Sequence, residues 1–323
     1  MQVFVTGGSG FVGGHVIERL VRDGHEVVAL ARSDAAVRSV EALGARAARG
    51  DLGAIPGGAL QGVDAVVHCA ARAEDWGKRA WFDEVNVAGT ASVLASARAA
   101  GVSSFVHVGT EAALFVGRDL VAVDESAPLP THNPFPYGAS KAAAERLVLA
   151  AHGAHMRTIV LRPRLVWGPR DGSVLPSLLQ TVQRGGFWWL DGGRHRTSTC
   201  HVFNLVEAVG LALRSEVGGR PFFVTDGEDR SLREVLTGLV ATRGVVLPER
   251  SLPGWLGRVG GTVVEGAWGL VRPTVRPPIT AMAMAMLSAT VTVRDGAARE
   301  VLGYRPVIGW DEGLAGMAAD RAW

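Results

Sequence analysis

The sequence predicts an α/β fold in which a parallel sheet is wound on both faces by helices and a smaller mixed lobe follows it. Three observations carry the expectation. Across residues 1–163, short apolar runs alternate with segments of helical period, the pattern of repeated β-α units. A glycine-rich turn at residues 5–14 joins the first run to the first helical segment. Beyond Pro163 the alternation loosens and tryptophans gather.

The strand-like runs are Gln2–Thr6, Glu26–Ala31, Ala65–His68, 105–108 and 158–161, apolar nearly throughout, as suits strands covered on both faces. After the first run, Val12, Val16, Ile17, Leu20 and Val21 share a helical face, and later Val85, Ala88, Val93 and Ala97 do the same. Residues 204–215 and 231–243 read as helices with a strand-like 221–224 between them. The expected division is 1–163 and 164–323, with part of 204–225 returning to the first unit's sheet. The uncharged stretch 277–293 is marginal in length for a bilayer span, begins with two prolines and reads as a buried or surface-packed segment.

Composition excludes several functions. The chain has 323 residues, 33 basic against 31 acidic side chains and a formal charge of +2, so no basic field draws nucleic acid. Two cysteines, Cys69 and Cys200, make no disulfide framework, and no Cys/His spacing suggests a metal site. A cytoplasmic, reducing setting is expected. The first 17 residues contain five glycines and no Lys or Arg, which is unlike a signal peptide.

The motif V-T-G-G-S-G-F-V-G-G at residues 5–14 places Gly7, Gly10 and Gly13 between a strand and a helix. Glycine is needed where a strand turns tightly, where backbone approaches a pyrophosphate, and where the helix lies close on the sheet. That context points to a dinucleotide and to a Rossmann-type doubly wound sheet. At the end of the second run, Ala31 leaves no carboxylate for a ribose 2′-hydroxyl, and Arg32 offers a guanidinium for a 2′-phosphate. NADP(H) is therefore favoured over NAD(H). Asp51 and Leu52 would sit beside the adenine.

In P-Y-G-A-S-K, residues 136–141, Tyr137 and Lys141 are four apart and project from one helical face. The chain has only two tyrosines and two lysines, so chance gives this spacing about once in 80. An ammonium beside a phenol favours the phenolate and moves the pair toward acid/base work. Thr110 lies at the end of a strand, where ligands of such sheets bind, with Glu111 beside it as a second polar group.

Together these residues resemble the extended short-chain dehydrogenase/reductase superfamily, of the NAD-dependent epimerase/dehydratase type. H-C-A-A at 68–71, N-V-A-G-T at 86–90 and L-R-P-R-L-V-W-G-P at 161–169 stand in that family's order. The resemblance implies that Tyr137 is the acid/base, that Lys141 holds the nicotinamide ribose and lowers the phenol's pKa, and that Thr110 orients the reacting oxygen. It also implies cofactor contacts from Gly7, Gly10, Phe11, Val12, Gly13, Arg32, Asp51, Leu52 and Ala70.

Within the superfamily the chain is most similar to the 3β-hydroxysteroid dehydrogenase-like branch, with 2-alkyl-3-oxoalkanoate reductases, through V-G-T-E-A, the 161–169 segment and F-F-V-T-D-G-E at 222–228. The epimerase branch carries Asn and Arg for a nucleotide diphosphate where this chain has Leu165 and Thr197, with Arg196 adjacent. What stands nearby is aromatic. Trp167 and Trp188 are candidate substrate contacts together with Glu111, although each tryptophan also fits a place in the core. The implied activity is interconversion of a secondary alcohol and a ketone on a small hydrophobic substrate. A sugar-nucleotide epimerase or dehydratase and a non-catalytic dinucleotide-binding regulator are the alternatives. A homodimer and a peripheral membrane contact by residues 255–293 are left open.

Overall fold

A computed structural model describes residues 1–272 and 274–319. Seven strands form its main sheet: β1 (Gln2–Thr6), β2 (Glu26–Ala31), β3 (Arg46–Arg49), β4 (Ala65–His68), β5 (Ser104–Val108), β6 (Arg157–Pro163) and β7 (Arg220–Val224). All pairings are parallel, and the spatial order is β7-β6-β5-β4-β1-β2-β3. Winding reverses between β1 and β4, which opens a crevice at their carboxyl ends.

Each face of the sheet is covered, so its strands read as apolar runs. Val3, Val5, Val27, Ala29 and Val67 pack on one side with Val16, Ile17 and Leu20 of the helix Phe11–Arg22. Phe4, Val28, Val66 and Phe105 pack on the other with Val93, Leu94 and Ala97 of the helix Gly89–Ala99. The alternation of in-facing side chains along each strand thus serves two cores at once.

Pro163 is not a clean break in the chain's path. β7 joins the main sheet from beyond it, whereas Leu120–Val123 leaves to pair with Val291–Val293. That second sheet continues through Arg196–Ser198 to Asp229–Ser231 and mixes parallel with antiparallel neighbours. The helix Leu232–Ala241 opens on a capping box made by Ser231 and Glu234, and its Val235 and Leu239 pack on Trp167, Phe187 and Trp189. The stretch 277–293 becomes the short helix Ala281–Leu287 and the buried strand Val291–Val293. Among the described residues no helix is long and apolar enough to cross a membrane.

Candidate active site

The glycine turn is built by close approach. Gly7 has φ +71°, and a Cβ there would lie 2.7 Å from the backbone nitrogen of Ala70. A Cβ on Gly13 would lie 2.2 Å from the Gly7 carbonyl oxygen, so only glycine lets the first helix start against β1. Gly10 caps that helix without a side-chain hydrogen bond, which leaves first-turn N–H groups open to an anion.

A cleft of about 790 Å³ runs from this turn along the carboxyl edge of the sheet. Gly7, Gly10, Phe11, Val12, Gly13 and Ala70 line its middle, with Arg32, Asp51 and Leu52 toward the end of β2 and β3. Thr110, Glu111, Tyr137 and Lys141 also line it. The sequence motifs, drawn from six separate segments, therefore share one cavity. The glycine cradle, the uncapped helix start and the exposed Arg32 guanidinium, 3.7 Å from Asp51, fit a dinucleotide.

Two of the expected substrate contacts are not there. Trp167 is fully buried, its indole N–H donating to Asp226 Oδ2 at 2.8 Å and its ring 4.6 Å from that of Trp310. Trp188 is 42% exposed and stacks with Arg250. Neither lines the cleft, because the tryptophan-rich segments supply the second lobe's own core and surface. The apolar end of the cleft is formed instead by Leu165, Val174, Met282 and Met286. Met282 and Met286 are four apart in A-M-A-M-A-M-L, a helical spacing visible in the sequence whose direction was not.

Lys141 is buried, and its ammonium donates to the Val108 carbonyl at 2.9 Å and to His107 Nε2 at 3.3 Å. Burial pulls it down to about 8, against the favourable charge of Glu145. The Tyr137 phenol is pushed well above its ordinary range, first by burial and then by the Glu111 carboxylate, with the neighbouring Thr110 hydroxyl acting the other way. The implied lowering of the phenol by Lys141 is thus not the balance found here. Lys141 spends two of its donors on β5, one on backbone and one on the His107 ring, and a carboxylate acts on the phenol.

Glu111 is buried and paired with Arg164 at 2.6 Å, and it accepts the Thr110 hydroxyl at 2.9 Å. Thr110 in turn accepts from the Ala112 N–H. Arg164 also donates to Thr197 Oγ1 at 3.1 Å, so the position where the epimerase branch has an arginine is here a buried hydroxyl turned away from the cleft. Arg196 donates to the carbonyl of Asp229 and does not line the cleft either. Leu165 has φ +43°, a left-handed conformation that Asn tolerates better than Leu, and this turn brings it to the cavity wall.

The H-C-A-A and N-V-A-G-T motifs have a physical role that the sequence did not reveal. His68 accepts from the Thr6 hydroxyl at 2.6 Å and donates to Thr90 Oγ1 at 2.9 Å, which itself donates to the Asn86 carbonyl. The tautomer follows from Thr90 having already given its proton to Asn86. Asn86 Nδ2 donates to Ser140 Oγ, which donates to the Tyr137 carbonyl. One buried chain of hydrogen bonds therefore runs from β1 through β4 to the helix Pro136–Ala150 and holds Tyr137 in register with the glycine turn.

The family model described as NAD dependent epimerase/dehydratase family matches residues 3–224. The chain belongs to this family. It is 41% identical over 317 residues to a 4-hydroxy-2-methyl-3-oxo-4-farnesyl-3,4-dihydroquinoline-1-oxide ketoreductase of Stigmatella aurantiaca, covering 97% of this chain and 95% of that one. It is 32% identical to a 2-alkyl-3-oxoalkanoate reductase of Stenotrophomonas maltophilia over the full length of both. Among solved structures, MoeE5 in complex with UDP-glucuronic acid and NAD is 25% identical with a TM-score of 0.74 over 98% of each chain. As a member of the family with such relatives, the chain is a dehydrogenase/reductase acting between CH–OH and keto groups.

Proposed function

We propose that this dehydrogenase/reductase uses NADP(H) and interconverts a ketone and a secondary alcohol on an apolar frame, of the 3-hydroxysteroid or 2-alkyl-3-keto acid kind. One observation carries the reading. The acid/base set Thr110, Tyr137 and Lys141 shares a cleft with the dinucleotide cradle, and the cleft's far end is lined by Leu165, Val174, Met282 and Met286. Two cations that line the cleft, Arg164 and Arg72, are already paired with Glu111 and Glu74, which leaves a sugar diphosphate poorly matched. Two free cysteines, one of them fully buried, suit a reducing cytoplasmic setting.

The bound nicotinamide would supply or accept the hydride. Tyr137, held as a neutral phenol, gives its proton to the carbonyl oxygen as that oxygen gains charge. Thr110 fixes the direction of the oxygen, and Lys141 offers its ammonium to ribose hydroxyls and to the phenolate left after transfer. Met282 and Met286 give the substrate end of the cleft an apolar wall.

NADPH oxidation with a homologous series of 2-alkyl-3-keto acids and 3-keto-steroids tests the reading. Efficiency rises with apolar length until the cleft is full, at ~25 cal/mol per Å² removed from water. UDP- and dTDP-sugars neither turn over nor raise Tm, since a ligand of the folded state must raise it. Saturable stabilisation by a nucleotide sugar with no response to any ketone would return the site to the epimerase reading.

A further inference from the structure

The helix Gly254–Val271 is packed the wrong way round for an ordinary surface helix, which turns its large apolar side chains inward. Its inner face is made of Gly254, Gly257 and Gly261. A Cβ on these would come within 2.1 Å of Asp191 Oδ2, 2.6 Å of Leu190 and 2.8 Å of Met284 respectively. The large residues face out: Trp255 is 59% exposed, Val263 62%, Leu270 87% and Val271 78%, with Leu256 and Val259 on the same arc. None of them joins a buried cluster of the fold. The helix carries only two charged side chains, and both are committed inward or sideways. Arg258 donates to the Ser288 carbonyl at 2.9 Å, and Glu265 accepts from the Ala281 N–H at 2.7 Å.

Residues 250–294 hold five arginines against the single acid Glu265. Arg258 is turned to Ser288 and Arg276 is paired with Asp75, which leaves Arg250, Arg272 and Arg294 as the remaining exposed cations of this segment. We propose that the outer face of this helix seats in the plane of an anionic lipid surface, with the apolar arc among the acyl chains and the exposed Arg250, Arg272 and Arg294 at the headgroups. The length, about 27 Å, and an apolar arc bordered by arginine are those of an interfacial helix. A second copy of the chain fits less well, because a twofold contact through the same face would bring the two arginine sets together.

The position couples this surface to the cleft. The helix Ala281–Leu287 packs between them: Met284 meets Gly261 on one side, while Met282 and Met286 line the cavity on the other. A membrane-dissolved ketone would thus be taken up across one helix. Delivery rests on the function proposed above; the docking does not.

Co-sedimentation with vesicles of phosphatidylcholine, alone or with phosphatidylglycerol, tests the docking. The full chain pellets with the anionic vesicles, less with phosphatidylcholine alone, and less at high salt. Val263→Asp/Leu270→Asp lowers the vesicle partition by about tenfold or more, as charge in the acyl region demands, with Tm and circular dichroism unchanged because both sites are exposed. Leu270→Asp alone, near the helix end, serves if the double variant unfolds. Failure of the wild type to pellet, or equal pelleting of the variant, overturns the proposal. A wild-type dimer by light scattering that the same variant makes monomeric, without vesicle binding, assigns the face to a second copy and overturns it too. Vesicle binding that is lost in the variant while no apolar ketone is turned over by either protein upholds docking and rejects the substrate reading.

Discussion

At the scale of single residues, the proposed roles separate a proton donor from the groups that tune it. Tyr137→Phe leaves NADPH affinity nearly intact, since Lys141 keeps its place, and lowers turnover by about 10²- to 10⁴-fold as proton transfer is lost; single-turnover and binding titrations separate the two. Glu111→Gln strips Arg164 of its buried partner and costs about 3–5 kcal/mol of stability, read as a lower Tm. It also removes the carboxylate that pushes the Tyr137 phenol up, so the alkaline limb of the pH–rate profile moves to lower pH. For Lys141 the signs differ between two observables. Its folded pKa of about 8 lies below the 10.5 of a free lysine, so the folded chain binds fewer protons in that window and this residue's contribution to stability rises with pH through it. Cofactor affinity moves the other way, falling as pH rises through about 8 because the ammonium is lost. Fluorescence titration of NADPH shows that fall, and Lys141→Met binds more weakly with no such dependence.

At the scale of elements, the proposed preference for NADP(H) rests on where β2 ends. Ala31 is the last residue of the strand and Arg32 follows it into the cleft wall, its guanidinium exposed and 3.7 Å from Asp51. Arg32→Ala weakens NADPH by about 1.5 kcal/mol, the low end for a charged hydrogen bond because salt screens the site, and leaves NADH almost unchanged. Equal wild-type affinities for the two cofactors would overturn the assignment. The helix Pro136–Ala150 is anchored one turn after Lys141 by the buried pair of Glu145 with Arg162, Nε to Oε1 at 3.0 Å. That pair continues the element's register into β6, where Arg162 lies over the Phe223 ring of β7 at 5.3 Å.

At the scale of the whole molecule, buried imidazoles join the sheet to its helices and make the fold sensitive to acid. Burial holds His68 near 3 against 6.5 for the free side chain, and His107 well below its ordinary value. Each is neutral in the folded state, so the stability they contribute is complete above about 6.5 and is lost as pH falls toward 3. Thermal melts show Tm declining below that pH, and His68→Gln, which titrates no proton, shows a shallower decline; an identical slope would show that the imidazole carries none of it.

The parallel sheet, the glycine turn, the Tyr137/Lys141 pair and Thr110 were legible in the sequence because each depends on local rules: a period of two or 3.6, a backbone approach that only glycine permits, a spacing of four on a helix. Glu111 and Arg32, which line the cleft, were legible as neighbours of strand ends by the same rules. Directions between elements were not legible. Trp167 and Met286 are both apolar residues near the expected site, yet one turns into the second lobe's core and the other into the cleft, and no period distinguishes them. His68, Asn86 and Ser140 form their chain across three segments, and Lys141 meets the backbone of β5, which only assembly brings near. The outward face of Gly254–Val271 belongs to the same class. Its apolar residues predict burial one by one, but the glycine stripe beside them lets the helix lie closer on its other side, and tertiary contact decided which face remained outside.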